Sequence, residues 1–212
     1  MTNILLADDY TITRAGLKMF IERHIPHAAI DEAWDGDSSF EKIKEKKYEL
    51  IILDVNMPNT DSFGLVSNII FLKPGANILM FSMNAEEIYA KKYLQIGAKG
   101  YLCKAASETE MKNAIDNVIN GKRYISPLLC QAFTEDALGK RSANPFDDLS
   151  PREFAIVLHL IRGESSVEIG HTLHMQPSTV GTYKARLFEK LHCSNIIDIN
   201  TLAKVYNIIP SA

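Results

Sequence analysis

The first 120 residues alternate two kinds of hydrophobic pattern, and this alternation limits the possible folds more than any single motif. Short β-like runs at NILLA (3–7), AIDEAW (29–34), LIILD (50–54), NILMF (77–81) and GYLC (100–103) are separated by stretches near 12–24, 37–46, 63–72, 86–96 and 107–119 with helical apolar spacing. An unbroken run such as Leu50 to Leu53 reads as a strand covered on both faces, because neither face meets water. Strands joined through helices run parallel. The pattern therefore predicts an α/β domain with a five-stranded parallel sheet and helices on both faces.

Five strands and five helices in strict alternation fit a doubly wound fold of flavodoxin-like order. After residue 120 the character changes. Residues 121–148 contain GKRYISP, a short helical piece LLCQAFTEDAL and GKRSANPFDD, which read as a linker rich in small, polar and proline residues. Residues 149–212 show four helical stretches and no convincing strand, so the second domain is expected to be small and all-α. A chain of 212 residues with 46% hydrophobic and 23% charged content suits two soluble globular domains. No apolar run approaches the length of a membrane span, so no membrane partner is expected. The three cysteines form neither a disulfide framework nor a CxxC-type metal site, which points to a cytoplasmic protein.

In such a sheet the carboxyl ends of the first, third, fourth and fifth strands share one rim. Asp8 and Asp9 follow the first, Asp54 ends the third, Ser82 follows the fourth and Lys104 follows the fifth. Taken singly, Asp8 reads as a helix cap, Ser82 as a turn residue and Tyr101 as packing on an edge strand. Taken together they form a site. Three converging carboxylates repel one another and invite a hard divalent cation, Mg²⁺ by preference. A lysine and a hydroxyl can then hold a second anion while an unprotonated aspartate receives a phosphoryl group.

The DD pair at 8–9, the D-x-x-M-P-x-x-D block at 54–61, Ser82, and Tyr101 three residues before Lys104 resemble a bacterial response-regulator receiver domain over residues 1–120. The resemblance implies that Asp54 is the phosphoacceptor, exposed so that a sensor histidine kinase's phosphohistidine can reach it. It also implies Mg²⁺ held by Asp9, Asp54 and the Asn56 carbonyl, with Asp8 nearby through water. Lys104 would bind phosphoryl oxygens, Ser82 would swing toward the phosphate, and Tyr101 would move from outward to inward. Many receivers carry a cis proline after the lysine, where this chain has Ala105. A cis bond before a non-proline residue costs about 2.5–4 kcal/mol, which leaves the geometry of that bond open.

In the last domain Ser150 reads as a helix N-cap, Pro151 as the first helical residue and Glu153 as the capping-box acid, with Gly163 ending the helix. A short helix near 166–173, a turn and a third helix from Pro177 match a helix-turn-helix. Residues 147–212 carry six Lys or Arg against seven Asp or Glu, so phosphate contacts must concentrate on the third helix. There Val180, Leu187 and Leu191 are expected to face the core. The segment resembles LuxR-type DNA-binding domains, and the whole chain resembles the NarL/FixJ subfamily of response regulators. The resemblance assigns contact with double-stranded DNA to Ser178, Thr179, Thr182, Tyr183, Lys184, Arg186 and Lys190. Gly181 stands where relatives usually carry a basic residue and Gln176 where a serine cap is common, so weak single-site affinity offset by dimerisation is expected. His171 and His174 lack an acid or cysteine partner at a zinc-like distance and read as surface residues.

The last helix, near 195–207, is more apolar than a domain this small needs. Its Ile196, Ile199, Leu202 and Val205 are assigned to a homodimer contact formed on phosphorylation. The reading reached is a transcriptional regulator and not an enzyme. Alternatives are a regulator independent of phosphorylation and a Mg²⁺-dependent hydrolase with Asp54 as nucleophile. The hydrolase would want a second acid at residue 56, where Asn56 stands.

Overall fold

Strands β1 (Asn3–Ala7), β2 (Ala29–Ala33), β3 (Leu50–Asp54), β4 (Ile78–Ser82) and β5 (Gly100–Cys103) pair in parallel in the order β2-β1-β3-β4-β5. This is the flavodoxin-like order expected. The computed structural model describes residues 2–138 and 144–208 and divides into two units, Met1–Glu135 and Asp136–Ala212. All of β3 and β4 is buried, whereas β2, at the edge, is mostly half-buried. On one face, alternate strand residues Ile4, Leu6, Leu50, Ile52, Leu79 and Phe81 pack with Leu17, Phe20 and Ile21 of α1 (Thr11–His24) and Ala114, Ile115 and Val118 of α5 (Glu108–Ile119). α2 (Gly36–Glu45), α3 (Ser62–Leu72) and α4 (Glu86–Gln95) complete the alternation.

The helices start where side chains can satisfy the free N–H groups of a first turn. Asp35 with Ser38 and Ser107 with Glu110 close capping boxes on α2 and α5, and Asp61 caps α3 through Gly64 N–H. β4 runs one residue further than the sequence pattern suggested, so Ser82 ends the strand, paired with Cys103, instead of following it.

The first unit continues to Glu135, past the boundary expected at 120. Tyr124 N–H donates to the Lys99 carbonyl at 2.8 Å and bridges to Gly100, extending the β5 edge. A Cβ on Gly100 would lie 2.9 Å from Leu79 Cδ1 and 3.2 Å from Tyr124 Cβ, so a larger residue here would make Leu79 and Tyr124 shift. α6 (Pro127–Ala137) then buries Leu129 completely. The stretch read as linker therefore begins as part of the first unit, while residues 139–143 of it lie outside the described residues.

In the second unit a 3₁₀ turn, Pro145–Asp148, buries Phe146, whose ring meets the Tyr206 ring edge-on at 6.4 Å. Four helices follow: α7 (Pro151–Ile161), α8 (Ser166–Thr172), α9 (Pro177–Lys190) and α10 (Ile196–Val205). Ser150 and Glu153 form the predicted capping box on α7, and Gly163 leaves the helix at φ 82°. Between α8 and α9, Met175 N–H donates to the Gly170 carbonyl at 2.8 Å and His174 takes a left-handed φ of 51°. A Cβ on Gly170 would lie 2.6 Å from the Met175 carbonyl oxygen, so only glycine allows this turn.

Glu153 also accepts from the Lys190 ammonium at 2.9 Å, joining α7 to the end of α9. Burial pushes the Glu153 carboxyl up, but Lys190 and the Ser150 cap outweigh it and hold the group below its ordinary value of 4.5. A carboxyl with a depressed folded pKa stabilises the fold above its unfolded pKa and loses that contribution as pH falls through the folded value. Thermal melts of wild type and Glu153→Gln should therefore differ at about pH 6 and converge toward about pH 3. A difference in Tm that does not change with pH would show that the pair adds no charge-dependent stability.

Candidate phosphoacceptor pocket and nucleic-acid helix

β1, β3 and β5 each deliver one charged group to the same rim. Lys104, directly after β5, places its Nζ 2.6 Å from Asp8 Oδ2 and 2.8 Å from Asp54 Oδ2. Asp54 also accepts from the Asn56 N–H at 3.2 Å and Asp8 from the Tyr10 N–H at 2.8 Å. Carboxylate oxygens of Asp8, Asp9 and Asp54 lie within 4.8 Å of one another. Three carboxylates against one ammonium leave the pocket two charges short of neutrality. The buried Asp9 Oδ1 has no hydrogen-bond donor, and Asp8 Oδ2 meets Lys104 as a charge contact without hydrogen-bond alignment. A partly compensated cluster with an unpartnered buried oxygen on Asp9 fits a hard divalent cation.

Asp54 is 3% exposed, which corrects the expectation of an exposed carboxylate. Lys104, only 12% exposed itself, closes over it. Burial pushes the Asp54 carboxyl above its ordinary value, and the Lys104 ammonium and Asn56 N–H only partly pull it back. Burial works against the charged Lys104, yet contact with Asp54 and Asp8 outweighs it and raises the lysine. The Lys104–Ala105 bond is trans, in keeping with the energetic disadvantage of a cis bond there.

Ser82 is fully buried and its hydroxyl accepts from the Asn84 N–H at 3.2 Å. Tyr101 is also fully buried, already in the inward position, and donates to the Asn84 carbonyl at 3.1 Å. Burial raises the Tyr101 hydroxyl well above its ordinary range. The Asn84 side chain reaches Asn56 Oδ1 at 3.4 Å. Asn84 thus joins the loop after Asp54 to both Ser82 and Tyr101, a link not assigned from sequence; a short polar residue two places after Ser82 was the only signal. Arg14 was also missed. Its guanidinium holds the Asp8 and Asp9 carbonyls at 2.7 and 3.3 Å and Glu32 at 3.0 Å, fixing the acidic loop.

On α9, Val180 and Leu187, with Leu191 just beyond, are buried as expected. Ser178, Thr179, Thr182 and Arg186 are exposed, while Tyr183 and Lys184 are half-buried. The Lys184 ammonium lies over the Phe188 ring and the Arg186 guanidinium over Tyr183. Lys190, grouped with the DNA contacts from sequence, pairs its ammonium with Glu153 at 2.9 Å while its side chain stays 45% exposed. Gln176 provides no side-chain cap, as its replacement of serine suggested. On α10, Ile199 is completely buried, which removes it from any surface contact; the exposed apolar residues are Ile197 at 75% and Val205 at 69%. Ile196 and Leu202 are half-buried. The pattern of apolar residues did not separate these faces because nearly every side of α10 carries one. His171 and His174 are exposed.

A parallel α/β module with a carboxylate–lysine pocket, followed by a helix-turn-helix, defines a two-component signalling protein that acts on DNA. Comparison with known proteins agrees over both units: residues 4–116 match the response regulator receiver domain and residues 147–203 match the bacterial regulatory proteins of the luxR family. The chain is 30% identical over 212 residues to the response regulator GacA of Pseudomonas protegens, covering 100% of both chains. It is 29% identical to the response regulator UvrY of Escherichia coli K12, covering 96% of this chain and 94% of UvrY. RcsB from Salmonella enterica serovar Typhimurium, bound to promoter P1flhDC in the presence of phosphomimetic BeF3⁻, shares the fold with a TM-score of 0.76 at 20% identity, covering 95% and 97%. The chain belongs to the response regulators, in the NarL/FixJ arrangement of a receiver and a LuxR-type helix-turn-helix. It is a phosphorylation-regulated, DNA-binding transcriptional regulator and not an enzyme, with a histidine kinase and DNA as the partners its two domains imply. No helix among the described residues is long and apolar enough to cross a membrane.

Removing the ammonium should expose the repulsion it now offsets. In metal-free buffer at neutral pH, Lys104→Met is expected to lower the unfolding free energy of the first unit by about 3 kcal/mol. The deficit should shrink as pH falls, since Asp54, already raised, takes up a proton and removes part of the repulsion. Denaturant melts at two pH values check both signs.

Proposed function

We propose that Asp54 accepts a phosphoryl group from a sensor kinase phosphohistidine and that the resulting charge at the pocket shifts the protein toward a DNA-competent homodimer. The observation that carries this is the Lys104 ammonium between Asp8 and Asp54. An Asp54 carboxylate oxygen attacks phosphorus, the P–N bond to the donor imidazole breaks, and an acyl phosphate forms. The Lys104 ammonium then has a phosphoryl oxygen to hold in place of the bare carboxylate. The Ser82 hydroxyl donates a hydrogen bond to another once it turns from Asn84. Tyr101 fills the space behind it and holds the Asn84 carbonyl.

Asp9, Asp54 and the Asn56 carbonyl would hold Mg²⁺, with Asp8 joined through water. When bound, the ion neutralises phosphoryl charge. Only contacts that differ between the two states move a population, and Lys104, Ser82 and Asn84 are the groups placed to make them.

The second unit would place α9 in the major groove, with Ser178, Thr179, Thr182, Tyr183, Lys184 and Arg186 toward the DNA. Ile197 and Val205, exposed on α10 and flanked by Ile196 and Leu202, support pairing of two such units. The protein is read as cytoplasmic, where its kinase donor and DNA meet.

Size-exclusion chromatography with light scattering, in Mg²⁺ with and without beryllofluoride, tests the switch. Beryllofluoride is expected to convert monomer to dimer in wild type and to leave Asp54→Ala monomeric; one oligomer in all conditions refutes phosphorylation control. For α9, Arg186→Ala should weaken binding about equally across DNA sequences and reduce the salt dependence by about one counterion. Fluorescence anisotropy over a salt series measures this, and an unchanged slope would remove Arg186 from the phosphate contacts.

A further inference from the structure

Glu86 is the first residue of α4 and is 6% exposed. An acid in a first turn gains from the helix dipole while remaining in water, so burying its carboxylate is unfavourable unless hydrogen bonds replace the water. Two such bonds are present, and they join separate parts of the first unit. Oε1 accepts the Cys103 N–H at 2.9 Å. Oε2 accepts the Ser126 hydroxyl in a short buried bond.

Each partner matters for what lies next to it. Cys103 directly precedes Lys104, whose own N–H donates to the Ser82 carbonyl at 2.8 Å. The backbone that aims the lysine at Asp54 is therefore held by Ser82 on one residue and by Glu86 on the preceding one. Ser126 is 3% exposed, and its hydroxyl also accepts the Leu129 N–H at 3.1 Å, capping α6. The boundary between the two units falls within α6, after Glu135.

We propose that Glu86 is a positioning residue that couples the phosphoacceptor pocket to α6, so that the state of Lys104 and Ser82 sets how firmly the α6 N-terminus is held. This rests on the reading of Asp54 as phosphoacceptor. A shift of the β4–α4 segment or of the β5 end when a phosphoryl group is held must carry Ser126 with it or break a buried bond to a carboxylate. Bonds to a charged acceptor are about twice as strong as neutral ones, so the link transmits displacement better than apolar packing alone. Glu86→Gln keeps the size and one acceptor oxygen but removes the charge, and Ser126→Ala removes the hydroxyl that donates to Glu86 and accepts from the Leu129 N–H.

Hydrogen–deuterium exchange of the full chain, in Mg²⁺ alone and with beryllofluoride, tests the coupling. In wild type the exchange of α6 amides is expected to change at least fivefold on adding beryllofluoride. In Glu86→Gln and Ser126→Ala the change should fall below twofold, although amides around Asp54 and Ser82 still respond. A merely structural cap would alter α6 exchange equally in both conditions and leave the ratio intact, which would overturn the proposal. So would a wild type whose pocket amides respond while α6 does not. Absence of any pocket response would instead overturn the phosphoacceptor reading, and this coupling with it.

Discussion

Lys104 brings one positive charge to a point where β1 and β3 have each delivered a buried carboxylate, with a third acid beside them. The sheet order makes this possible, because β1, β3 and β5 end on one rim although some 50 residues of chain separate Asp54 from Lys104. It also makes the arrangement costly, since burying like charges is tolerated only with a counterion. The apolar strands hold the acids together against their repulsion, and the ammonium compensates part of it. The residual negative charge makes the pocket receptive to a cation, and a cation there makes it receptive to an anion. Stability and chemistry in the first unit are therefore set by the same few groups.

The neighbouring hydrogen bonds give that charge balance a mechanical reach. Asn84 is bound through its N–H, its carbonyl and its side chain to Ser82, Tyr101 and Asn56 in turn. Beyond it, the Tyr93 ring stacks on Phe63 at 4.3 Å, its hydroxyl meets the Ser62 hydroxyl at 2.7 Å, and Tyr101 lies 6.1 Å away. Buried hydroxyls and rings of this kind have few alternative positions, because each must keep a partner when water cannot replace it. A change at the rim therefore meets a small number of discrete alternatives in α3, α4 and β5.

The sheet, the helices and the carboxylate cluster were legible in the sequence because they rest on periodicity and on strand ends, both local signals. Ser150, Pro151 and Glu153 announced α7 for the same reason. What escaped depended on long-range placement. Asp54 looks accessible at the end of an apolar run, yet it is buried and paired with Lys104. Ile199 and Ile197 are chemically alike, and only the packing of α10 decides that one is buried and the other exposed. Lys190 reads as a solvated cation of α9, and its pairing with Glu153, 37 residues away, left no mark in the sequence. Glu86 and Asn84 look like ordinary helix-start residues, and Tyr124 and Leu129 sat in a stretch whose composition suggested a free linker. In each case the partner is distant in the chain, and no spacing rule reaches it.

The turn between α8 and α9 is held by backbone contacts, with the Arg152 guanidinium of α7 donating to the Leu173 carbonyl. Gly170 lets the Met175 carbonyl approach, the Met175 N–H returns to Gly170, and His174 adopts the left-handed conformation between them. None of these contacts depends on the outward side chains of α9. The positions facing outward can therefore be rewritten while the angle at which the helix is presented stays the same. An engineer transplanting a new recognition sequence into this scaffold should treat residues 170–177 and the buried Val180 as a fixed socket and the exposed positions among 178–186 as the exchangeable insert.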